Sequence, residues 1–371
     1  MDGSPSEEAV AGRSIRSPEA GSNRGFEAQA LLAAVACRPA WLVIGVLTLG
    51  AAVATVTGLS VSYPPWVRYV PLAASLLVFG LPHGAVDHLA PARAAGEQPT
   101  VRWLLGVGAV YLVLGVGYAA LWALAPAVSA GLFVALTWLH WGQGDLYLLD
   151  ALGSTHLDGA GVRLGTLLVR GGLPMLVPVL RFPGRYREVV DAWVALFGGD
   201  LGASWLLSVD VRAALGVGFV LVTVGTLIAG RRRAADDGWR RDAAETALLW
   251  AFFLLVPPLL AVGIYFCVWH SLRHIARLIL IDDGARQAFA EAGALAALFR
   301  TGRDAAPLSA VSIVLLVGVA VGGGVGSGAE VRTLAALYLV FISVLTLPHV
   351  AIVTWMDGAE NAGLARFAGN K

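Results

Sequence analysis

The sequence predicts an all-α polytopic membrane protein, a helical bundle of about ten transmembrane helices. Of its 371 residues 57% are hydrophobic and only 14% are charged, whereas soluble domains average about 25% charged residues. The apolar residues fall in repeated runs of roughly 20, the length that an α-helix needs to cross a bilayer. The net charge of +1 gives no indication of nucleic acid binding, so we expect the lipid bilayer as a partner and no nucleic acid.

Ten runs are long and apolar enough to be predicted as spans. They are residues 40–61, 70–89, 103–125, 128–149, 164–180, 213–230, 243–260, 261–281, 307–325 and 331–355. Pro257 and Pro258 separate the seventh from the eighth, and the alternative there is one long kinked helix or a re-entrant turn. The RGGLP sequence at 170–174 predicts that the fifth span is broken or partly interfacial. Residues 185–197 are predicted to form an amphipathic surface helix.

The composition divides the chain into a membrane domain and two tails. Residues 1–37 are rich in Ser, Gly, Glu and Arg, which predicts a disordered cytoplasmic tail. Residues 38–358 form a single transmembrane helical domain, and 359–371 a short cytoplasmic tail. With both termini in the cytoplasm, 17 of the 26 Lys and Arg residues lie inside and six outside. That bias follows the positive-inside rule and predicts a multi-pass protein of the cell membrane.

Histidines are the residues most indicative of function. Six of the seven lie in or at the end of predicted spans, and only His156 falls in a loop. Ionisable side chains are costly inside a membrane and usually serve a function there. In the WHSLRH sequence, His270 and His274 are four residues apart, which places both on one helix face about 40° apart. Two imidazoles on one face provide half of a metal site.

The LPHGAVDH sequence at 81–88 supplies a second group of polar residues. His83 is a candidate metal ligand. Asp87 lies on the same face, where it would orient a ligand histidine or be solvated by headgroups. His88 is about 140° from His83 around the helix, so we expect a supporting role for it or a place at the helix end.

Two further sequences, WLHWGQGD and LPHV, complete the set. His140 is a candidate ligand, Gln143 lies within about 60° of it on the helix, and Asp145 is nearer the inner end. His349 is expected either to bind the metal or to donate a hydrogen bond. Arg273 would pair with Asp87 or Asp145, or extend to the headgroups.

The predicted topology brings these histidines together. The four helices that carry them all run from the outer to the inner side, and most of the histidines lie at one depth in the inner half of the bilayer. A set of imidazoles suits Fe, Cu or Zn, and no HExxH motif of zinc proteases is present. A b-type haem held by two histidines and a metal-transport site remain as alternatives.

Four sequence motifs, taken in order, resemble the Brp/Blh family of bacterial and archaeal β-carotene 15,15′-dioxygenases. They are PHGAVDH, HWGQGD, WHSLRH and LPHV, and the similarity extends from about Pro71 to Asp357. The resemblance implies an Fe(II)-dependent enzyme that cleaves β-carotene with O₂ at its central double bond to give two all-trans-retinals. It also implies His83, His140, His270 and His274 as catalytic iron ligands. His349 and His88 are similar to accompanying histidines of the family.

Such a substrate requires a long apolar tunnel beside the iron. The aromatic residues near the histidine sequences are the predicted lining: Trp138, Trp141, Tyr265, Phe266 and Trp269. Packing against lipid or other helices is the alternative role for about half of these side chains. A retinal-binding rhodopsin is considered as the acceptor of the product. The alternative function is a bis-histidine haem protein of membrane electron transfer.

Overall fold

The computed structural model describes residues 18–59, 64–202, 204–325 and 328–368, and within these ranges the regular structure is helical throughout. The α-helices are α1 (Pro18–Leu32), α2 (Arg38–Thr57), α3 (Val70–Leu77), α4 (Gly80–Ala85), α5 (Ala90–Ala94), α6 (Val101–Leu124), α7 (Pro126–Ala151), α8 (Ala160–Arg181), α9 (Pro183–Ala195), α10 (Val209–Arg231), α11 (Gly238–Leu255), α12 (Pro258–Ile264), α13 (Leu272–Ile281), α14 (Asp283–Ala292), α15 (Ala294–Gly322) and α16 (Val331–Ala368). Two π-helical segments join consecutive helices: Ala33–Cys37 lies between α1 and α2, and Tyr265–Ser271 between α12 and α13.

Seven of these helical stretches are long and apolar enough to cross a membrane, which confirms the predicted fold class. They are Gly25–Thr57, Val101–Leu124, Ala160–Arg181, Val209–Arg231, Pro258–Ile281, Ala294–Gly322 and Val331–Glu360. Each contains most or all of one predicted span.

The other three predicted spans have more polar or less regular structure. Residues 70–89 are divided between the short helices α3 and α4 and the turn that follows. Residues 128–149 lie in the continuous helix α7, whose inner half carries His140, Gln143 and Asp145. Residues 243–260 overlap α11, which begins among charged residues and ends before Pro257. The chain therefore forms two helices at Pro257–Pro258, not one kinked helix.

The prediction of a broken fifth span is wrong. Helix α8 is continuous over 22 residues although Pro174 and Pro178 lie inside it. Proline removes one backbone hydrogen bond, but the tight packing of α8 against α7 holds the helix together. Residues 185–197 are largely helical as predicted, in α9.

Two described segments that the sequence assigns to the tails are helical. Residues 18–37, expected in a disordered tail, are helical, because the apolar side chains from Leu31 to Ala36 pack against Ile275 and Ile279 of α13. At the other end α16 continues to Ala368, beyond the expected boundary at 358. Glu360 on that extension accepts a hydrogen bond of 2.8 Å from Arg277. Residues 1–17 and 369–371 lie outside the described residues.

Helices α7 and α8 approach each other closely at two glycines. A β-carbon at Gly171 would collide with the carbonyl oxygen of Trp138, and one at Gly142 with that of Leu167. Small residues at helix contacts in membranes allow this close backbone approach. The contact matters because α7 carries His140.

We predict that Gly171→Ala lowers the thermal stability of the protein in detergent. The added methyl group would force α7 and α8 apart, and overpacking of this kind costs about 1–3 kcal/mol. Gly218→Ala on α10 is the matched control, since a β-carbon there meets no atom within 4 Å. Equal unfolding temperatures for the two variants would contradict the close-approach interpretation.

A buried polyhistidine site

Five histidines from five helical segments meet inside the bundle. His83 comes from α4, His140 from α7, His270 from the π-helical segment, His274 from α13 and His349 from α16. None is more than 6% exposed. Neighbouring ring centroids are 4.7–6.3 Å apart. The predicted convergence on one site is therefore observed, and it includes His349.

The candidate ligand atoms form two groups. One comprises His83, His140 and His270, and the other Asp87, His274 and His349; within each group the atoms lie within 4.8 Å of one another. Glycines make room for two of the rings. A β-carbon at Gly84 would lie 3.5 Å from Nδ1 of His349, and one at Gly144 would lie 3.6 Å from Nδ1 of His270. Side chains larger than alanine would displace these imidazoles.

Asp87 fixes the orientation of His349. Nδ1 of His349 lies 2.7 Å from Oδ2 of Asp87, and the hydroxyl of Tyr111 donates to the same oxygen at 2.7 Å. A carboxylate accepts hydrogen bonds, so Nδ1 carries the proton and Nε2 has a free lone pair. That Nε2 lies 3.2 Å from Nε2 of His140. Asp87 thus orients a histidine, as the sequence predicts, and the histidine is His349.

The nitrogen atoms fit a metal ion. Nδ1 of His140 and Nε2 of both His270 and His274 are buried without a hydrogen-bond partner among the described residues. Each such atom costs about 1–3 kcal/mol when it has no partner, and coordination of a metal through Nε2 of His270 and of His274 would remove that cost for these two. Nitrogens bound about 2.1 Å from one ion lie about 3 Å apart when adjacent, which is close to the His140–His349 separation.

Three predicted supporting residues lie outside this group. Nδ1 of His88 is 2.8 Å from the carbonyl oxygen of Ala85, within its own turn. The amide nitrogen of Gln143 donates to Thr354 at 3.4 Å. Asp145 belongs to a separate network of buried charges. This network lies on the other side of the helical segment that carries His270 and His274, residues 265–281, which we call the histidine helix.

That network holds Arg273, which lies between His270 and His274 in the sequence. Its guanidinium donates to Asp145 and to Glu245, at 2.9 Å each, so neither Asp87 nor the headgroups bind it. Arg170 donates to Asp242 at 2.9 Å and to the same oxygen of Glu245 at 2.7 Å. All five side chains are at most 2% exposed. The network joins α7, α8, α11 and α13 around one set of paired charges.

The predicted pairing of Arg273 with Asp145 is observed, but sequence reasoning missed Glu245 and Asp242 as partners of these arginines. Glu245 lies in a predicted span, where a carboxylate is as strong a signal as a histidine. His156, predicted in a loop, is buried, and its Nε2 lies 3.1 Å from Asp242. Tyr111 carries no sequence signal, because its pairing with Asp87 depends on how α6 packs.

The histidines line an apolar cavity of about 700 Å³, within the 300–1,000 Å³ usual for ligand sites. His83, His140, His270 and His349 contribute to its wall, and so do Trp141 and Phe266. The planes of these two aromatic rings are 21° apart, and that of Phe266 is also 21° from the ring of His270.

The other predicted lining residues are engaged elsewhere. The indole of Trp138 donates to the carbonyl oxygen of Leu168 at 2.9 Å. Tyr265 is fully buried between Trp141 and Phe253. Trp269 donates to Asp145, and Arg273 lies 3.9 Å above its ring. Other aromatic residues line the cavity in their place, and these are Tyr111, Phe133, Tyr186 and Trp193.

A helical membrane bundle with five buried histidines beside an apolar cavity defines an integral-membrane protein built around an intramembrane polyhistidine site. The chain belongs to the β-carotene 15,15′-dioxygenase family, whose sequence model matches residues 74–357. This finding confirms the resemblance seen in the four histidine sequences.

Two relatives from Halobacterium salinarum cover nearly the whole chain. The probable β-carotene 15,15′-dioxygenase Blh is 52% identical over 341 residues, which are 90% of this chain and 95% of the relative. The probable β-carotene 15,15′-dioxygenase Brp is 31% identical over 352 residues, 86% of this chain and 95% of the relative. No solved structure matches the chain.

We predict that Arg273→Ala strongly destabilises the protein in detergent. It would leave Asp145 and Glu245 with an uncompensated buried charge, and breaking such a pair costs about 3–5 kcal/mol. Arg163→Ala is the control, because Arg163 pairs with Asp150 at the surface, where an ion pair contributes about 1 kcal/mol or less. Thermal unfolding would measure both variants, and equally small shifts would show that the network adds little stability.

Proposed function

We propose that this protein is a non-haem Fe(II)-dependent dioxygenase. It cleaves β-carotene with O₂ at the 15,15′ double bond and releases two molecules of all-trans-retinal. One observation carries the proposal: in a chain of this family, five buried histidines converge beside an apolar cavity. Four of them line its wall, and three have a ring nitrogen without a partner among the described residues.

The histidines would hold the iron. His83, His140, His270 and His274 are the expected ligands, and Nε2 of His349 is placed as a further one, since Asp87 holds its opposite nitrogen. Neutral imidazoles suit iron. Bound Fe(II) supplies the redox chemistry that lets O₂ react with an alkene. Asp87 and Tyr111 fix the tautomer of His349, the usual task of groups hydrogen-bonded to a ligand.

The cavity suits a rigid polyene. A C40 hydrocarbon offers no hydrogen-bonding groups, so the many van der Waals contacts of the apolar lining would hold it. The ring planes of Trp141, Phe266 and His270 differ by 21–32°, and these rings form an aromatic wall of the cavity. A planar polyene would lie along this wall. The apolar lining also keeps bulk water from the reacting bond.

The bis-histidine haem alternative gains no support from this geometry. A haem would lie between two axial imidazoles. The imidazole ring of His83 instead meets the rings of His270, His274 and His349 edge to face, at interplanar angles of 77–87°. Rings packed in this way suit shared coordination of a small ion.

We infer that the protein works in the cell membrane. Its hydrocarbon substrate dissolves in the bilayer core, and so would a retinal-binding rhodopsin that accepts the product. The seven candidate membrane spans support this proposal, because they would bring the histidines to the bilayer that holds both molecules.

Expression in a β-carotene-producing bacterium, followed by pigment extraction and chromatography, tests the proposal. We expect retinal to appear as carotene is lost. Unchanged carotene with iron in the purified protein would indicate another polyene substrate. Unchanged carotene with a Soret band would favour the haem alternative.

We predict that His270→Ala abolishes cleavage while the protein remains folded in detergent. The variant removes a central imidazole of the cluster, so iron content should fall together with retinal formation. His88→Ala is the matched control, because its ring hydrogen-bonds within its own turn, and it should keep its iron. Retained activity in His270→Ala would count against the whole site.

We predict that Asp87→Asn weakens iron binding about 10- to 100-fold, the usual effect of losing a carboxylate that orients a ligand histidine. The amide keeps the shape of the side chain but loses its charge. Iron titration of the purified apoprotein would measure the change without relying on activity. An unchanged iron affinity would show that Asp87 has only a packing role.

A further inference from the structure

We propose that the hydrocarbon substrate enters the cavity end-on from the bilayer, through a window between α6 and α15. This inference rests on the proposed function, because it names the route by which a long polyene reaches the histidines. We call this opening the α6–α15 window, formed by Leu104, Val107, Gly108 and Tyr111 on α6 and by Pro307, Leu308, Val311, Ser312 and Leu315 on α15.

Each set of window residues lies on one face of its helix. On α6 they follow a spacing of three and four residues from Leu104 to Tyr111. On α15 Leu308, Val311, Ser312 and Leu315 share the same spacing. Residues three and four apart form a continuous stripe on a helix, so two long stripes face one cavity. Both helices are among the candidate membrane spans.

Several window residues are exposed although they also line the cavity. Leu104 is 41% exposed, Val311 52% and Leu315 55%. A side chain that borders the cavity and the exterior at once marks the place where the two connect. Because these residues are apolar and belong to candidate spans, the exterior they face is lipid.

The cavity is closed at the opposite end. Phe133 of α7, Met175 of α8 and Trp193 of α9 line it there, and none is more than 9% exposed. Tyr186 of α9 lies beside them, and burial raises the pKa of its phenol to about 12, so the closed end carries no charge at neutral pH. On α16, Leu339 packs with Phe133 and Trp193, and Ile352 packs with Val107 of the window. His349 lies between Leu339 and Ile352 in this helix, and so between the closed end and the window.

Residues of the window leave room for a narrow apolar molecule. A β-carbon at Gly108 would meet no atom within 4 Å, and Ser312 presents only a small side chain. One turn before Leu308, Asp304 accepts a hydrogen bond of 2.7 Å from Arg93. That ion pair bounds the window towards the start of α15. The opening therefore suits a rod-shaped hydrocarbon that enters by one end.

Tryptophan substitutions test this route. Gly108→Trp and Ser312→Trp should each fill the window and lower the rate of retinal formation about tenfold or more, a barrier increase of about 1.4 kcal/mol per tenfold. Gly106→Trp is the matched control. Gly106 also lies on an exposed part of α6 with no atom within 4 Å of a β-carbon, but it does not line the cavity.

Two measurements separate entry of the substrate from the cleavage reaction. They are the iron content of each variant and the rate of β-carotene binding, which is monitored by the absorbance change of the carotene. We expect both window variants to keep their iron and to bind β-carotene slowly, whereas Gly106→Trp binds it at the wild-type rate. Wild-type rates of binding and cleavage in both window variants would overturn the window. A wild-type protein that binds β-carotene but forms no retinal would overturn the proposed function instead, and the binding rates would still decide the route.

Discussion

Paired charges inside the bundle determine how the histidine helix sits. Arg273 lies between two histidines of the site and points away from them, into the carboxylates of Asp145 and Glu245. An unpaired charge at this depth is very costly, so the helix cannot rotate without losing these bonds. Asp145 is also five residues beyond His140 on α7. The same ion pair thereby fixes two histidine-bearing helices relative to each other.

The charged network and the apolar cavity lie on opposite sides of this helix. On one side Arg170, Arg273 and their carboxylates exclude hydrocarbon, and on the other Trp141 and Phe266 present an apolar aromatic wall. Trp269 and Tyr265, whose rings stack, separate the two environments. The π-helical segment that carries them and His270 contributes to this arrangement, since π-helical turns are wider than α-helical turns and frequently occur at functional sites.

Sequence alone predicts the membrane fold and the histidine set because both leave a local signal. Apolar runs of membrane length and imidazoles inside them are recognisable without knowing any contact. Pairings of side chains across the bundle are not recognisable in this way. Arg170 and Glu245 are 75 residues apart, and nothing in the sequence indicates that α8 and α11 are neighbours. The lining of the cavity was also only partly predictable, because Trp138 and Trp141 differ by less than one turn and the rotation of α7 decides which of them faces the histidines.

A cavity with one closed end treats the two halves of a symmetric molecule differently. Once the central bond is cut, the half near α6 and α15 has a direct path to the lipid. The half beneath α9 has to slide past the histidines before it can follow. Two chemically identical products would then depart at different times, and the slower departure would set the pace at which the site becomes available to the next molecule.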